Sequence, residues 1–163
     1  MRLKALARHQ RARLIVLEGI DGSGKTSLSR EIANALIRHG LRVIQTRQPT
    51  ALPSGRSVRR IARAGRSSNS LSTALYKDRR AHYYVTLRPA FQTADVIICD
   101  RYFYSSVYQA INIRDLRSRL QFYRPLLPIP DIAFLLLPSV MVARRRILSS
   151  SRRLDSFEAR LAL

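Results

Sequence analysis

The stretch from Leu14 to Ser27 constrains this chain more than any other. Leu14-Ile15-Val16-Leu17 is a short apolar run ending on Glu18, rich in the branched side chains of a strand buried on both faces. Gly19-Ile20-Asp21-Gly22-Ser23-Gly24-Lys25-Thr26-Ser27 comes next without a gap and fits G-x-x-x-x-G-K-S/T. Such a loop must turn its own N–H groups onto a phosphate, and glycines at 19, 22 and 24 supply the backbone freedom and close approach this needs. Lys25 can then reach the β and γ phosphates, and the Thr26 hydroxyl can ligand Mg2+. Downstream, Leu28, Ile32, Ala35 and Leu36 recur at helical spacing, and Gly40 stands where a helix would stop. Strand, loop and helix occur in the order a phosphate-binding loop requires, so residues 19–27 are expected to bind ATP.

Composition narrows the class. A chain of 163 residues, 46% apolar and 25% charged, suits one globular domain with a proper core. Its single cysteine, Cys99, excludes an internal disulfide and fits a reducing, cytoplasmic compartment; at the end of an apolar run it reads as a core residue. The longest apolar stretch, 132–143, contains Pro138 and is too short to span a bilayer, so no membrane role is expected. The leader, residues 1–13, is basic and lacks the apolar core of a secretory signal. His9, His39 and His82 have no metal-ligand spacing, and no serine–histidine–acid pattern stands out. Thirty basic residues against ten acidic ones give a net charge of +20, with only Lys4, Lys25 and Lys77 as lysines. The arginines are spread along the chain and are not interleaved with aromatics as a stacking platform would be. An arginine-rich bias is therefore favoured over dedicated nucleic-acid binding, although non-specific, salt-sensitive association with nucleic acid is expected either way.

Strand-like and helix-like segments alternate along the rest of the chain. Residues 41–46 read as a second strand ending at Arg47-Gln48-Pro49-Thr50, and Pro53-Ser54-Gly55 as a continued loop. Residues 57–64 read as a short helix, 65–70 as a connector, and 71–94 as a long helix that Pro89 ends or kinks. Asp95-Val96-Ile97-Ile98-Cys99 is an apolar strand closed by Asp100, the pattern of a second, metal-side carboxylate. Residues 105–123 read as a helix, 132–137 as a buried strand and 140–148 as a helix. A mobile basic loop over 149–153 and a helix start at Asp155 complete the chain. This alternation predicts an α/β domain with a parallel sheet.

Several of these motifs together resemble the thymidylate kinases, nucleoside monophosphate kinases of the phosphate-loop class, over residues 14–158. The loop from Glu18 to Thr26 is similar to E-G-x-D/E-G-x-G-K-T, which implies that Asp21 lies near the sugar 3′-hydroxyl of the acceptor. Thr46-Arg47-Gln48-Pro49 resembles T-R-E-P, with Gln48 in place of glutamate, and residues 53–59 resemble P-x-G-x-x-I/V-R. The resemblance implies that Arg47 and Arg59 contact the acceptor phosphate. Asp78-Arg79, His82 and Arg88-Pro89-Ala90 resemble D-R-x-x-H and K/R-P-A, so Arg79 is implied to read the base edge. Leu75 stands where the family has a stacking phenylalanine. Asp100-Arg101-Tyr102-Phe103-Tyr104-Ser105-Ser106 matches D-R-Y-x-x-S-S, and Val107-Tyr108-Gln109 is one residue shorter than the family's x-A-Y-Q. A one-residue deletion rotates the rest of a helix by about 100°. Pro130-Asp131, and Asp155-Ser156-Phe157-Glu158 after an arginine-rich loop, match the family's last-strand and lid motifs, and the lid arginines Arg152 and Arg153, with Arg146 behind them, suggest the subtype whose catalytic arginine lies in the lid. Seven of the ten acids (Glu18, Asp21, Asp78, Asp100, Asp131, Asp155 and Glu158) fall on these motif positions, where the chemistry would use them.

The resemblance implies a three-layer phosphate-loop NTPase fold over residues 14–163, with the family's final strand and helix missing. Its implied reaction passes the γ-phosphoryl of ATP, with Mg2+, to dTMP. Lys25, Arg101 and Arg153 are the implied catalytic residues, and Thr26 and Asp100 the metal-side pair. Asp21, Arg47, Arg59, Leu75, Arg79, Arg101, Ser106 and Gln109 are implied to hold the acceptor. A homodimer is carried with these expectations. Two alternatives stand beside them: a kinase of another nucleotide or small acceptor, and a catalytically weak ATP-binding relative that associates with nucleic acid.

Overall fold

The computed structural model describes residues 11–65, 68–107 and 113–149. The expected roles of Tyr108, Gln109, Arg152, Arg153, Asp155 and Glu158, and the leader up to Gln10, lie outside the described residues. The elements in chain order are β1 (Arg13–Gly19), α1 (Lys25–Arg38), β2 (Val43–Arg47), α2 (Pro53–Arg63) and α3 (Ser68–His82). A π-helical turn (Tyr83–Leu87) leads into α4 (Arg88–Thr93), β3 (Val96–Asp100), α5 (Tyr104–Val107), α6 (Ile113–Tyr123), β4 (Ile132–Leu136) and α7 (Val140–Ser149). The four strands form one sheet in the order β2-β3-β1-β4, and every pairing is parallel.

The central strands are apolar on both faces, so helices must cover both. On one side Leu14, Val16, Ile97 and Cys99 pack with Leu87, Ala90, Tyr102, Phe103 and Tyr123. On the other, Leu17, Val96 and Ile98 pack with Ala33 and Leu41, with Ile32 and Leu36 beside them. This is the three-layer α/β arrangement expected of a phosphate-loop protein. All the parallel strands end on the same edge: Leu17 is level with Asp100, and Asp100 with Arg47. In an open α/β sheet that carboxyl edge is where ligands bind.

Four expectations need correction. Helix α2 begins at Pro53, because proline suits the first turn, where no N–H is needed. Gly55 then belongs to the helix; a Cβ there would stand 2.0 Å from the Thr50 carbonyl oxygen, so only glycine lets the helix lie this close to the preceding loop. Of the two expectations for Pro89, that it ends or kinks the long helical run, the first does not hold, since Pro89 falls in the first turn of α4 just after the π-helical turn, and the run continues to Thr93. Leu28 of α1 faces outward, while Lys25, Ser29 and Ala33 form the buried line. Strand β4, read as buried, is an exposed edge: Ile132, Phe134, Leu135 and Leu137 are 47%, 45%, 57% and 76% exposed. Its composition suits a covered parallel strand, but no described element covers it.

Candidate active site

The site is built where β1 and β3 end. The loop between β1 and α1 turns through Gly22, whose φ of 74° a side chain would strain and whose Cβ would stand 2.4 Å from the Ala143 carbonyl oxygen of α7. Lys25 is buried and folded back on this loop, donating to the Gly19 carbonyl at 3.0 Å, the Ile20 carbonyl at 2.7 Å and Ser23 Oγ at 3.2 Å. Burial, and then the field of Arg101, pull its pKa down to about 8. An incoming polyphosphate would replace these weak carbonyl partners with charged ones. Thr26 Oγ1 donates to Asp100 Oδ2 at 2.6 Å, joining the start of α1 to the end of β3. No cluster of three or more His, Cys, Asp or Glu occurs among the described residues. One hydroxyl beside one carboxylate is a donor set that fits Mg2+, which takes its other ligands from phosphates and water.

Arg101 follows Asp100 and pairs with Asp21 of the loop. It holds a left-handed φ of 69°, the only non-glycine residue to do so among the described residues. Such strain persists only where surrounding structure imposes it. Here the Arg101 N–H donates to the Leu17 carbonyl at 2.9 Å. The Glu18 carboxylate, buried beneath, accepts from the amides of Tyr102 at 2.8 Å and Ser105 at 3.0 Å and from Ser105 Oγ at 2.6 Å. Burial raises the Glu18 pKa, against the pull of Ser105 and Tyr102. Glu18 thus ties the loop's own strand to the segment that carries Arg101.

A second set of buried polar ties fixes the flank formed by β2, α2 and α3. Asp78 of α3 accepts from the Thr50 N–H at 2.9 Å, Thr50 Oγ1 at 2.5 Å and Ser54 Oγ at 2.8 Å. His82 lies between Thr46 Oγ1 at 2.7 Å and Gln48 Nε2 at 2.9 Å. With the Gln48 amide nitrogen turned toward it, His82 Nδ1 accepts, and Nε2 then carries the proton. Full burial pulls the His82 pKa down to about 4, which keeps it neutral. These ties hold the Arg47–Thr50 turn, with its cis Gln48–Pro49 bond, against α3. Arg59 donates to the Pro49 carbonyl at 3.0 Å, while Arg47 is exposed at the end of β2.

The base-side candidates are only partly gathered. Arg79 is buried and donates to Ser106 Oγ at 2.8 Å and Tyr123 Oη at 2.6 Å, with its guanidinium 4.9 Å from the Tyr123 ring centre. Its Nε has no partner among the described residues. Beside it a cavity of about 130 Å3 is lined by Tyr76, Arg80, Tyr84, Tyr123 and Leu126 among others. Leu75 is half-buried on α3, and Tyr76 packs instead on Phe122, with ring centres 5.3 Å apart. Arg146, read as lying behind the lid arginines, reaches the phosphate-binding loop itself, 3.4 Å from the Gly22 carbonyl. Three contributors to this geometry have a signal in the sequence only as motif letters: Glu18, Asp78 and His82 act by tying segments together. Tyr123 had no signal at all.

Comparison with known proteins agrees with this geometry. The family model described as thymidylate kinase matches residues 17–162. The thymidylate kinase of Xanthomonas euvesicatoria pv. vesicatoria is 39% identical over 128 residues, covering 76% of this chain and 55% of that protein. That of Desulfotalea psychrophila is 36% identical over 141 residues, covering 85% of this chain and 69% of the relative. The crystal structure of thymidylate kinase from Ehrlichia chaffeensis aligns with a TM-score of 0.68 at 30% identity, over 83% of this chain and 82% of that one. The chain spans about half the length of several of the curated relatives it matches. With most of its length matched by the family model and its sheet shared with a solved member, the chain belongs to the thymidylate kinase family.

Proposed function

We propose that this chain, over a kinase domain of residues 14–163, transfers the γ-phosphoryl of ATP to dTMP to give dTDP. The observation that carries the reading is the meeting of two anion-binding sets on one sheet edge: the Lys25 loop with its Thr26–Asp100 pair, and Arg101 paired to Asp21 across from it. The amides of residues 19–27 and Lys25 would grip the triphosphate. Thr26, with Asp100 beside it, would hold Mg2+, whose charge would offset that of the phosphates. Arg101 and Arg59, with Arg47, would hold the acceptor phosphate in line, and Asp21 would meet the sugar. Arg79, Ser106, Leu75 and Gln109 would form the base pocket. The acceptor oxygen is already anionic at neutral pH, so the reaction needs positioning and charge neutralisation and no general base. In the lid-arginine reading, Arg153 would cover the transferring group, supported by Arg146 at the loop. A homodimer belongs to the same reading.

A coupled assay of ADP release across dTMP, dUMP, dCMP, dGMP and free nucleosides tests the proposal, with dTMP expected to give the highest kcat/KM. The Lys25→Ala variant should lose nearly all turnover while unfolding at a similar denaturant concentration. Equal rates for all acceptors would remove the dTMP assignment, and an unaffected Lys25→Ala variant would remove the loop as the donor site. Two observations favour a second reading, a kinase for a different nucleotide or small acceptor: Leu75 offers no ring for stacking, and Arg79 is already engaged by Ser106 and Tyr123. The same panel decides it.

A further inference from the structure

The arginine excess looks diffuse along the chain, but folding gathers part of it. Arg56, Arg59, Arg60 and Arg63 stand at i, i+3, i+4 and i+7 of α2 and therefore share one face. With Ala64 they line an open groove of about 620 Å3. Helix α2 has no acidic residue of its own. Asp78, which reaches α2 through Ser54, already accepts three hydrogen bonds from Thr50 and Ser54. Among the described residues none of the four arginines forms an ion pair; Arg56 donates to the Ala51 carbonyl and Arg59 to the Pro49 carbonyl. Like charges three and four residues apart work against a helix. Among the described residues no carboxylate offsets this face, which leaves it open to anions from outside the chain.

We propose that this face of α2 binds the phosphate backbone of nucleic acid without regard to base sequence. Guanidinium forks match phosphate oxygens in pairs, and four on one face offer several phosphates a place at once. Among the described residues no aromatic side chain lines the groove, so it offers bases no stacking platform and favours recognition of the backbone alone. An anionic membrane fits less well. A surface-lying helix needs an apolar face to insert, and here Val58 is buried and Ile61 half-buried against the protein. The net charge of +20 then steers the polyanion, while α2 decides where it lands.

The test measures binding of a short, mixed-sequence, fluorescein-labelled DNA single strand by anisotropy over a range of salt, with no nucleotide present. The triple variant R56Q/R60Q/R63Q is compared with R38Q/R117Q/R145Q, which removes the same charge from exposed arginines of α1, α6 and α7. Each phosphate contact contributes about 0.7 to the slope of log K against log salt for a single strand. The α2 variant is expected to flatten that slope by about 2 and the control by much less. If the triple does not purify, R60Q alone should flatten it by about 0.7. Equal flattening in both triples would overturn the proposal in favour of a diffuse field. Tighter binding to phosphatidylserine vesicles than to DNA, lost in the α2 variant, would overturn it in favour of a membrane. Arg59 is untouched, so loss of DNA binding and loss of kinase turnover remain separate results.

Discussion

Arg101 brings backbone strain to a position that the proposed reaction uses. Its left-handed backbone costs a side-chain-bearing residue about 1–2 kcal/mol that glycine would not incur. Arg101→Ala and Arg101→Gly both lose the guanidinium and the pairing with Asp21, so they differ in that strain, offset in part by the larger backbone entropy that glycine loses on folding. Urea unfolding should find the glycine variant more stable than the alanine variant by about 1 kcal/mol, and both should turn over at least about 10³-fold more slowly. Lys25 allows a second residue-level prediction. With its pKa near 8, it is partly neutral in the free protein under mildly alkaline conditions. A bound triphosphate would favour the charged form and restore an ordinary lysine pKa. Mg·ATP binding at a pH of about 9 should therefore take up close to one proton, and almost none near pH 6. Calorimetric titration in two buffers of different ionisation enthalpy reads the difference directly.

At the scale of elements, the flank of the site depends on polar groups buried between β2, the turn after it, and α3. His82 is one of these groups. Its folded pKa of about 4 lies below the ordinary imidazole value of 6.5, so the unfolded chain binds a proton that the folded chain refuses. This contribution to stability is complete above about pH 6.5 and is lost as pH falls toward 4, reaching about 2 kcal/mol by pH 5. Unfolding midpoints should fall accordingly between neutral pH and pH 5. Gln48→Glu places a carboxylate against Nδ1, which favours the imidazolium and should flatten the dependence. A Gln48→Glu profile as steep as that of the parent would show that another group is responsible.

For the molecule as a whole, β4 and the start of α7 present the least finished surface. Ile132, Phe134, Leu135, Leu137, Val140 and Met141 are exposed, and residues 132–143 include no charge. An uncharged, apolar edge strand invites pairing with another chain. Phe134→Lys with Leu137→Lys should raise the concentration at which this chain stays monodisperse by light scattering. The unfolding free energy should stay within about 0.5 kcal/mol, since neither side chain is in the described core. A clearly destabilised double variant would mean that part of the chain itself covers this edge.

Much of this molecule is legible in its sequence, because the strongest signals are local. The phosphate-binding loop is readable because glycine, lysine and threonine at fixed offsets do work that few other residues can, and the apolar runs of β1 and β3 announce a parallel sheet. Helix starts are less legible: Pro53 and Gly55 look like loop residues until the first-turn position of one and the close approach to Thr50 of the other are seen. Three further features depend on distance in space and on neighbours, not on spacing in the chain. Glu18 steadies the segment carrying Arg101 from the neighbouring strand. Tyr123, 44 residues away, occupies Arg79. The apolar residues of β4 stand uncovered at an edge. Pattern alone determined the phosphate-binding-loop motif and the α/β class, since both are written within a few turns of chain. Only tertiary structure decided which polar residues are buried partners and which apolar ones lie open, because burial is a property of what else arrives at the same place.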